Sequence, residues 1–252
     1  MTSDHPTDAA PLVPPVSRRR GFWSLVRDIL VIVVIAIVVS LVIKTFLVRS
    51  FYIPSGSMEQ TLLVKDRILV DELTPRFTGY ERGDVVVFRD PGGWLPVSAA
   101  PADQSALVRA GDWLLSLVGI TASDSDEHLI KRLIGLPGDH VVCCNAIGQI
   151  TVNGTPIDET PYLDLAPGQS APEVVPFDVT VPDGSLWVLG DNRDHSRDSR
   201  YNMDRPSHGF VPIDNVVGRA FLITWPLNRF GTIDGHHEVF SGVPAATPAA
   251  GR

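Results

Sequence analysis

The 252-residue chain has only two cysteines, and they are adjacent, Cys143 and Cys144. A pair so placed closes no long loop and supplies too few ligands for a structural zinc site. Two readings stay open for it: a strand-edge pair without catalytic part, or a disulfide between neighbours in an oxidising compartment. Positive charge is scarce, with 21 Lys and Arg against 29 Asp and Glu and a formal charge of −8. No basic stripe with interleaved aromatics is present, which argues against nucleic acid as a partner. His195 and His208 fall into no HExxH-like spacing, and no glycine-rich phosphate loop occurs, so no metal or cofactor is expected. Internal repeats are absent, as is a second long apolar run.

One such run is there. Residues 29–43 are apolar apart from Ser40, and extension through Lys44-Thr45 to Val48 gives about 20 residues. As a helix that is roughly 30 Å, enough to cross the hydrocarbon core of a bilayer. Arg18, Arg19, Arg20 and Arg27 precede the run, Phe22-Trp23 offer an interfacial aromatic signal, and Lys44 and Arg49 close it. The positive-inside rule then puts the N-terminus in the cytoplasm and everything after residue 49 outside. A cleavable signal peptide is the rival reading; the run is long for one, and no small-x-small site follows at once. The expected organisation is a disordered cytoplasmic tail at 1–21, a transmembrane anchor at 22–48, an extracytoplasmic domain at 49–240 and a disordered tail at 241–252.

Beyond the anchor, short apolar runs alternate with turn signals. The runs are 68–70, 84–88, 140–142, 149–152, 186–189 and 216–223; the turns fall at Tyr80–Gly83, Pro137–Asp139, Val152–Gly154 and Pro182–Gly184. With 21 Gly and 21 Pro spread along the chain, this predicts a mostly β domain, a curled, barrel-like antiparallel sheet following one N-terminal transmembrane helix. Residues 91–127, with an amphipathic stretch at 106–118, and the proline-rich 155–180 read as insertions.

Chemistry-bearing residues stand in three places. Ser57 closes Pro54-Ser55-Gly56-Ser57 just after the anchor, where Gly56 permits a tight turn. Lys131 lies in the apolar run Leu129-Ile130-Lys131-Arg132-Leu133-Ile134. A serine hydroxyl needs a neighbour to take its proton, and a lysine can do so only if burial keeps it neutral. Third, Gly190-Asp191-Asn192-Arg193-Asp194-His195-Ser196-Arg197-Asp198-Ser199-Arg200 is charged enough to be a solvated loop, or to knit a rigid one around a site.

Read in order, the PSGSM, RGDVVVF (82–88), KRLIGLPGD (131–139), GDNRDHSRDSR (190–200) and GFVP (209–212) segments resemble bacterial type I signal peptidases. The resemblance spans about residues 22 to 225, and the long linker from Tyr201 to His208 resembles actinobacterial members. It implies that Ser57 is the acylating nucleophile and Lys131 the general base of a serine–lysine dyad. Ser55 would donate to the oxyanion, and Ser196 would orient the lysine amine. Arg132, Asp191, Asp198 and Arg200 would form structural ion pairs. Phe51, Ile53, Met58, Val87 and Ile130 would line shallow apolar pockets for Ala-x-Ala signal-peptide ends. His195 departs from the family, which often has asparagine there, so a histidine base must be weighed; its adjacency to Ser196 favours a loop role instead. The implied partners are signal-peptide-bearing precursors and the lipid bilayer. Rival readings are another serine–lysine peptidase, for conjugation or pilus precursors or related to self-cleaving repressors, and a non-catalytic membrane-anchored peptide-binding β scaffold.

Overall fold

The computed structural model describes residues 18–46, 48–95, 128–165 and 175–246. The expectations for 1–17, most of the 91–127 insertion with its amphipathic stretch, the middle of 155–180, and 247–252 lie outside the described residues. The chain divides into two compact units, 1–42 and 43–252.

Helix α1 spans Arg18–Phe46, and within it 21–39 is long and apolar enough to cross a membrane and is exposed throughout. The helix begins earlier than residue 22 because arginine is a good helix former and Gly21 only weakens a helix. It ends before Val48, which already pairs with Asp71 as the first residue of a strand.

The second unit is antiparallel β. Its larger sheet contains β1 (Val48–Tyr52), β2 (Arg67–Asp71), β3 (Val85–Arg89) and β4 (His128–Gly135). The smaller sheet is built from β5 (His140–Cys143), β6 (Ile150–Val152), β7 (Thr155–Pro156) and β8 (Phe177–Thr180). β9 (Ser185–Leu189), β10 (Val211–Pro212), β11 (Val216–Trp225) and β12 (Gly231–Thr232) return to the larger one. Its pairing path runs β1-β2-β11-β3-β4-β9-β10, with β12 beside β11, and register shifts in β11 and β4 interrupt the ladders. Such bulges bend and twist a strand, which curls the sheet without closing it. A five-residue helix, α2 (Thr74–Thr78), follows β2.

Each short apolar run named after residue 49 is a strand, because Val, Ile and aromatic side chains fill a pleated, half-buried surface. The 155–180 excursion differs from expectation. β7 and β8 form at its ends, and Ile157, Glu159 and Tyr162 are buried. Asn153 and Gly154, at φ 50° and 79°, make the two-residue turn between β6 and β7, where only residues tolerating positive φ fit. Residues 241–246 also pack: Val243 lies against the core beside the smaller sheet, and the Pro244 carbonyl accepts from Asn153 Nδ2 at 3.0 Å. Cys143 and Cys144 are joined by a disulfide, the second of the two readings of that pair.

Candidate active site

β4 is the spine of the site. It lies between β3 and β9, with Val86 opposite Lys131 and both Val85 and Leu189 opposite Arg132. Successive residues of a strand project to opposite faces, and Lys131 and Arg132, both buried, meet different surroundings.

Lys131 Nζ is 2.7 Å from Ser57 Oγ and 2.8 Å from the Ile130 carbonyl. Burial lowers its pKa from the ordinary lysine value to about 8. Asp198 and Asp191 act in the opposite direction, and Arg200 adds to the lowering. Desolvation wins because neither carboxylate touches the amine.

Ser57 is fixed by the turn after β1. Ile53 N–H donates to Asp66 O at 2.9 Å and Lys65 N–H to Ile53 O at 2.9 Å, closing the loop at its base. Met58 and Leu62, fully buried, anchor it to the core formed by Phe51, Ile68, Val70 and Val87. From the 190–200 loop, Asn192 N–H donates to the Ser57 carbonyl at 3.2 Å. Gly190 runs so close that an added Cβ would stand 2.5 Å from that carbonyl, so the approach needs glycine. Ser55 is exposed, its Oγ 3.5 Å from Ser57 Oγ.

Arg132 is saturated. Its Nε and Nη2 donate to Asp191 at 2.8 and 2.9 Å, and Nη1 reaches the carbonyls of Gly83, Asp234 and Gly235 at 2.8 to 3.2 Å. Thr61 donates to Asp191 Oδ2 at 2.5 Å. Arg200 pairs with Asp198 through Nε and Nη2 at 2.8 and 2.9 Å, and Asp198 also accepts from Gly190 N–H at 3.0 Å. Burial alone would raise the Asp198 pKa, but Arg200, with the Gly190 N–H and the Ser196 hydroxyl, holds the carboxyl below its ordinary value. The four residues expected to form ion pairs therefore meet as two buried bidentate pairs.

Two expectations meet a different geometry. Ser196 Oγ is buried and makes no hydrogen bond to the lysine amine, which the Ile130 carbonyl holds instead; the hydroxyl acts on Asp198. Met58 is wholly buried in the core and does not line the surface depression that Phe51, Ile53, Val87 and Ile130 share with His128. His195 is exposed, with Nδ1 3.1 Å from Asn192 Oδ1, in no hydrogen bond with Ser57 or Lys131. His208 is exposed at a positive φ.

Sequence reasoning missed Asn192 as a brace for Ser57, Thr61 as a partner of Asp191, and the buried Glu159, Tyr162 and Arg193. Arg193 had a signal, lying inside the charged loop; Glu159 and Tyr162 had none, being in a stretch without periodicity. Arg82 and Asp139, from two of the quoted segments, form a bidentate pair at 2.7 and 2.6 Å. Among the described residues Asp234, His236 and Glu238 are close enough together to share a cation.

The arrangement offers a hydroxyl, an amine near neutrality and a second hydroxyl around one point. Comparison with known proteins gives the same direction. The family model "Signal peptidase, peptidase S26" matches residues 26–225. Signal peptidase I of Mycobacterium tuberculosis is 42% identical over 226 residues, covering 83% of this chain and 76% of its own. A probable signal peptidase I of Mycobacterium leprae is 36% identical, over 92% and 86% of the two chains. Signal peptidase I of Leptolyngbya laminosa is 34% identical over 92% and 95%.

Proposed function

The chain belongs to the signal peptidase family S26, and from that premise we propose that it removes N-terminal signal peptides from exported precursors with Ser57 as nucleophile and Lys131 as general base. The observation that carries this reading is the 2.7 Å contact between Ser57 Oγ and a buried amine without a carboxylate partner. A neutral Lys131 takes the Ser57 proton as Oγ attacks the scissile carbonyl carbon. The tetrahedral oxyanion accepts hydrogen bonds from Ser57 N–H and Ser55 Oγ. Its collapse breaks the peptide C–N bond, and the Lys131 ammonium gives its proton to the departing amine. Lys131, neutral again, deprotonates a water that attacks the ester carbonyl, and the proton returns to Ser57 as the acid leaves.

Substrate selection follows from the strand before the serine. β1 ends the sheet path and pairs only with β2 among the described strands, so its other edge is available to an extended peptide. The depression beside it, lined by Phe51, Ile53, Val87 and Ile130, measures about 20 Å³. That is room for about one water-sized group, which suits a methyl side chain and supports cleavage after Ala-x-Ala-like ends.

In this reading α1 is an uncleaved anchor. The arginines at 18, 19, 20 and 27 keep its N-terminus in the cytoplasm, and the domain from residue 49 works on the outer side. Residues 1–21, 22–48 and 49–240 would then be tail, anchor and peptidase domain. The precursors and the bilayer are its partners.

The test is cleavage of a signal-bearing precursor by the purified protein in detergent. Wild type should release the mature chain, with Ser57→Ala and Lys131→Ala inactive but folded. A fully active Lys131→Ala would remove lysine from the mechanism, and inactive wild type would favour a peptide-binding scaffold.

A further inference from the structure

The loop at 190–200 touches the nucleophile, and something must hold that loop. Its own pair, Arg200 with Asp198, ties the loop to itself; Arg200 Nη2 also donates to Arg193 O at 2.8 Å. Outside the loop, Arg132 and Thr61 hold Asp191, and Asn192 Nδ2 donates to Glu59 Oε2 at 3.3 Å; a further support comes from the segment after β7. There the Tyr162 and Leu163 amides both donate to Glu159 O at 3.1 Å, a tight turn that presents two buried side chains.

Glu159 forms a bidentate pair with Arg193, Nη1 donating to Oε2 at 3.0 Å and Nη2 to Oε1. Tyr162 Oη donates to the same Oε1 at 2.8 Å. Arg193 then spends Nε on the Gly190 carbonyl, at 2.9 Å. Gly190 is the residue that abuts the Ser57 carbonyl. On its other side the Tyr162 ring lies 4.2 Å below the Arg132 guanidinium, which grips Asp191. Asp164 N–H also donates to Asp191 O, at 3.1 Å. Exposures of 6%, 1% and 3% for Glu159, Tyr162 and Arg193 exclude a solvated surface pair. Burial and the neighbouring Glu159 push the Tyr162 phenol up, so it stays a donor.

We propose that Glu159 and Tyr162 are positioning residues for the hydrolytic site, setting the 190–200 loop against Ser57 through Arg193 and holding the Arg132–Asp191 pair beside Lys131. Two routes thus lead from one turn to the two reacting groups, and neither residue touches substrate. The proposal rests on the serine–lysine reading above. The charged groups acting on the Lys131 amine are Asp198, Asp191 and Arg200, all from the braced loop. A loosened brace admits water and frees Asp191 from Arg132; both changes favour the ammonium and move the activity limb to higher pH.

The experiment compares Glu159→Gln, Tyr162→Phe and Tyr162→Leu with wild type, Ser57→Ala and Lys131→Ala, all full-length in detergent. Turnover is read per active site, titrated with an acylating inhibitor, and followed across pH. Glu159→Gln and Tyr162→Leu should lower kcat about tenfold or more with KM within about twofold, as expected where geometry of the reacting groups is lost rather than binding. Their kcat/KM profiles should move alkaline by about half a unit or more. Tyr162→Phe keeps the ring over Arg132 and should lose less than about threefold, which keeps the test readable if a harsher variant does not fold. Lower thermal stability with unchanged kcat and pH profile in both Tyr162→Leu and Glu159→Gln would overturn the proposal alone. An active Ser57→Ala would instead overturn the dyad reading and the proposal with it.

Discussion

Lys131 and Arg132 are neighbours on one strand, both buried, and the molecule treats them in opposite ways. Around Arg132 every direction is filled: a bidentate carboxylate, three backbone carbonyls and the face of a tyrosine ring. Around Lys131 there is one hydroxyl and one carbonyl, and its nearest carboxylates belong to other cations. A buried cation with its counter-ion is a scaffold, because removing either partner leaves an uncompensated charge. Without one it has reason to lose its proton, which makes it a base. In the proposed mechanism the same strand holds the site together on one side and performs its chemistry on the other.

The largest effect should come from making the two positions alike. Lys131→Arg places a group that stays protonated beside Ser57, and cleavage of a precursor should fall by about 10⁴-fold or more with the fold intact. Turnover near wild type would show that no base is needed there. Next, Asp191→Asn strips Arg132 of its carboxylate. Unfolding in denaturant should become easier by about 3–5 kcal/mol, the range for breaking a buried pair. A loss below about 1 kcal/mol would mean that the pair is not a scaffold.

A smaller change is expected at Ser55. Its exposed hydroxyl can be replaced in part by water, so Ser55→Ala should lower kcat by roughly 10–100-fold, below the full value of a well-placed oxyanion donor. An unchanged kcat would reduce Ser55 to a turn residue. The smallest effect is expected for His195→Asn. The ring is exposed and bonded to Asn192, so activity should stay within about twofold, the range of a surface change.

The strands were readable where the chain writes apolar runs between turn residues: 84–88, 140–142, 149–152 and 186–189 each lie within about one residue of β3, β5, β6 and β9. β7, β10 and β12, of two residues each, carry no period and are defined only by their partners. The close contact of Ser57 and Lys131, 74 residues apart, was suggested by chemistry and by family resemblance, since spacing alone cannot bring them together. Glu159 lies 34 residues from Arg193 in a proline-rich stretch, so nothing local marks it as buried. The serine at 196 shows the reverse case: a resemblance names a role, and the local geometry gives its hydroxyl no hydrogen bond to Lys131. Arg132 could be named as an ion-pair residue, but not the three carbonyls that complete its shell, because backbone acceptors leave no mark in sequence.

The most direct test of the difference between the two neighbours is the pH dependence of kcat/KM, which reports the free enzyme's essential base. A base must be neutral to act, so activity should be low below its pKa, rise through it and level above. With Lys131 lowered by burial, the account predicts a single ascending limb centred at about 8 that is unchanged in His195→Asn. A limb near 6.5, the ordinary range of histidine, that disappears in His195→Asn would contradict it.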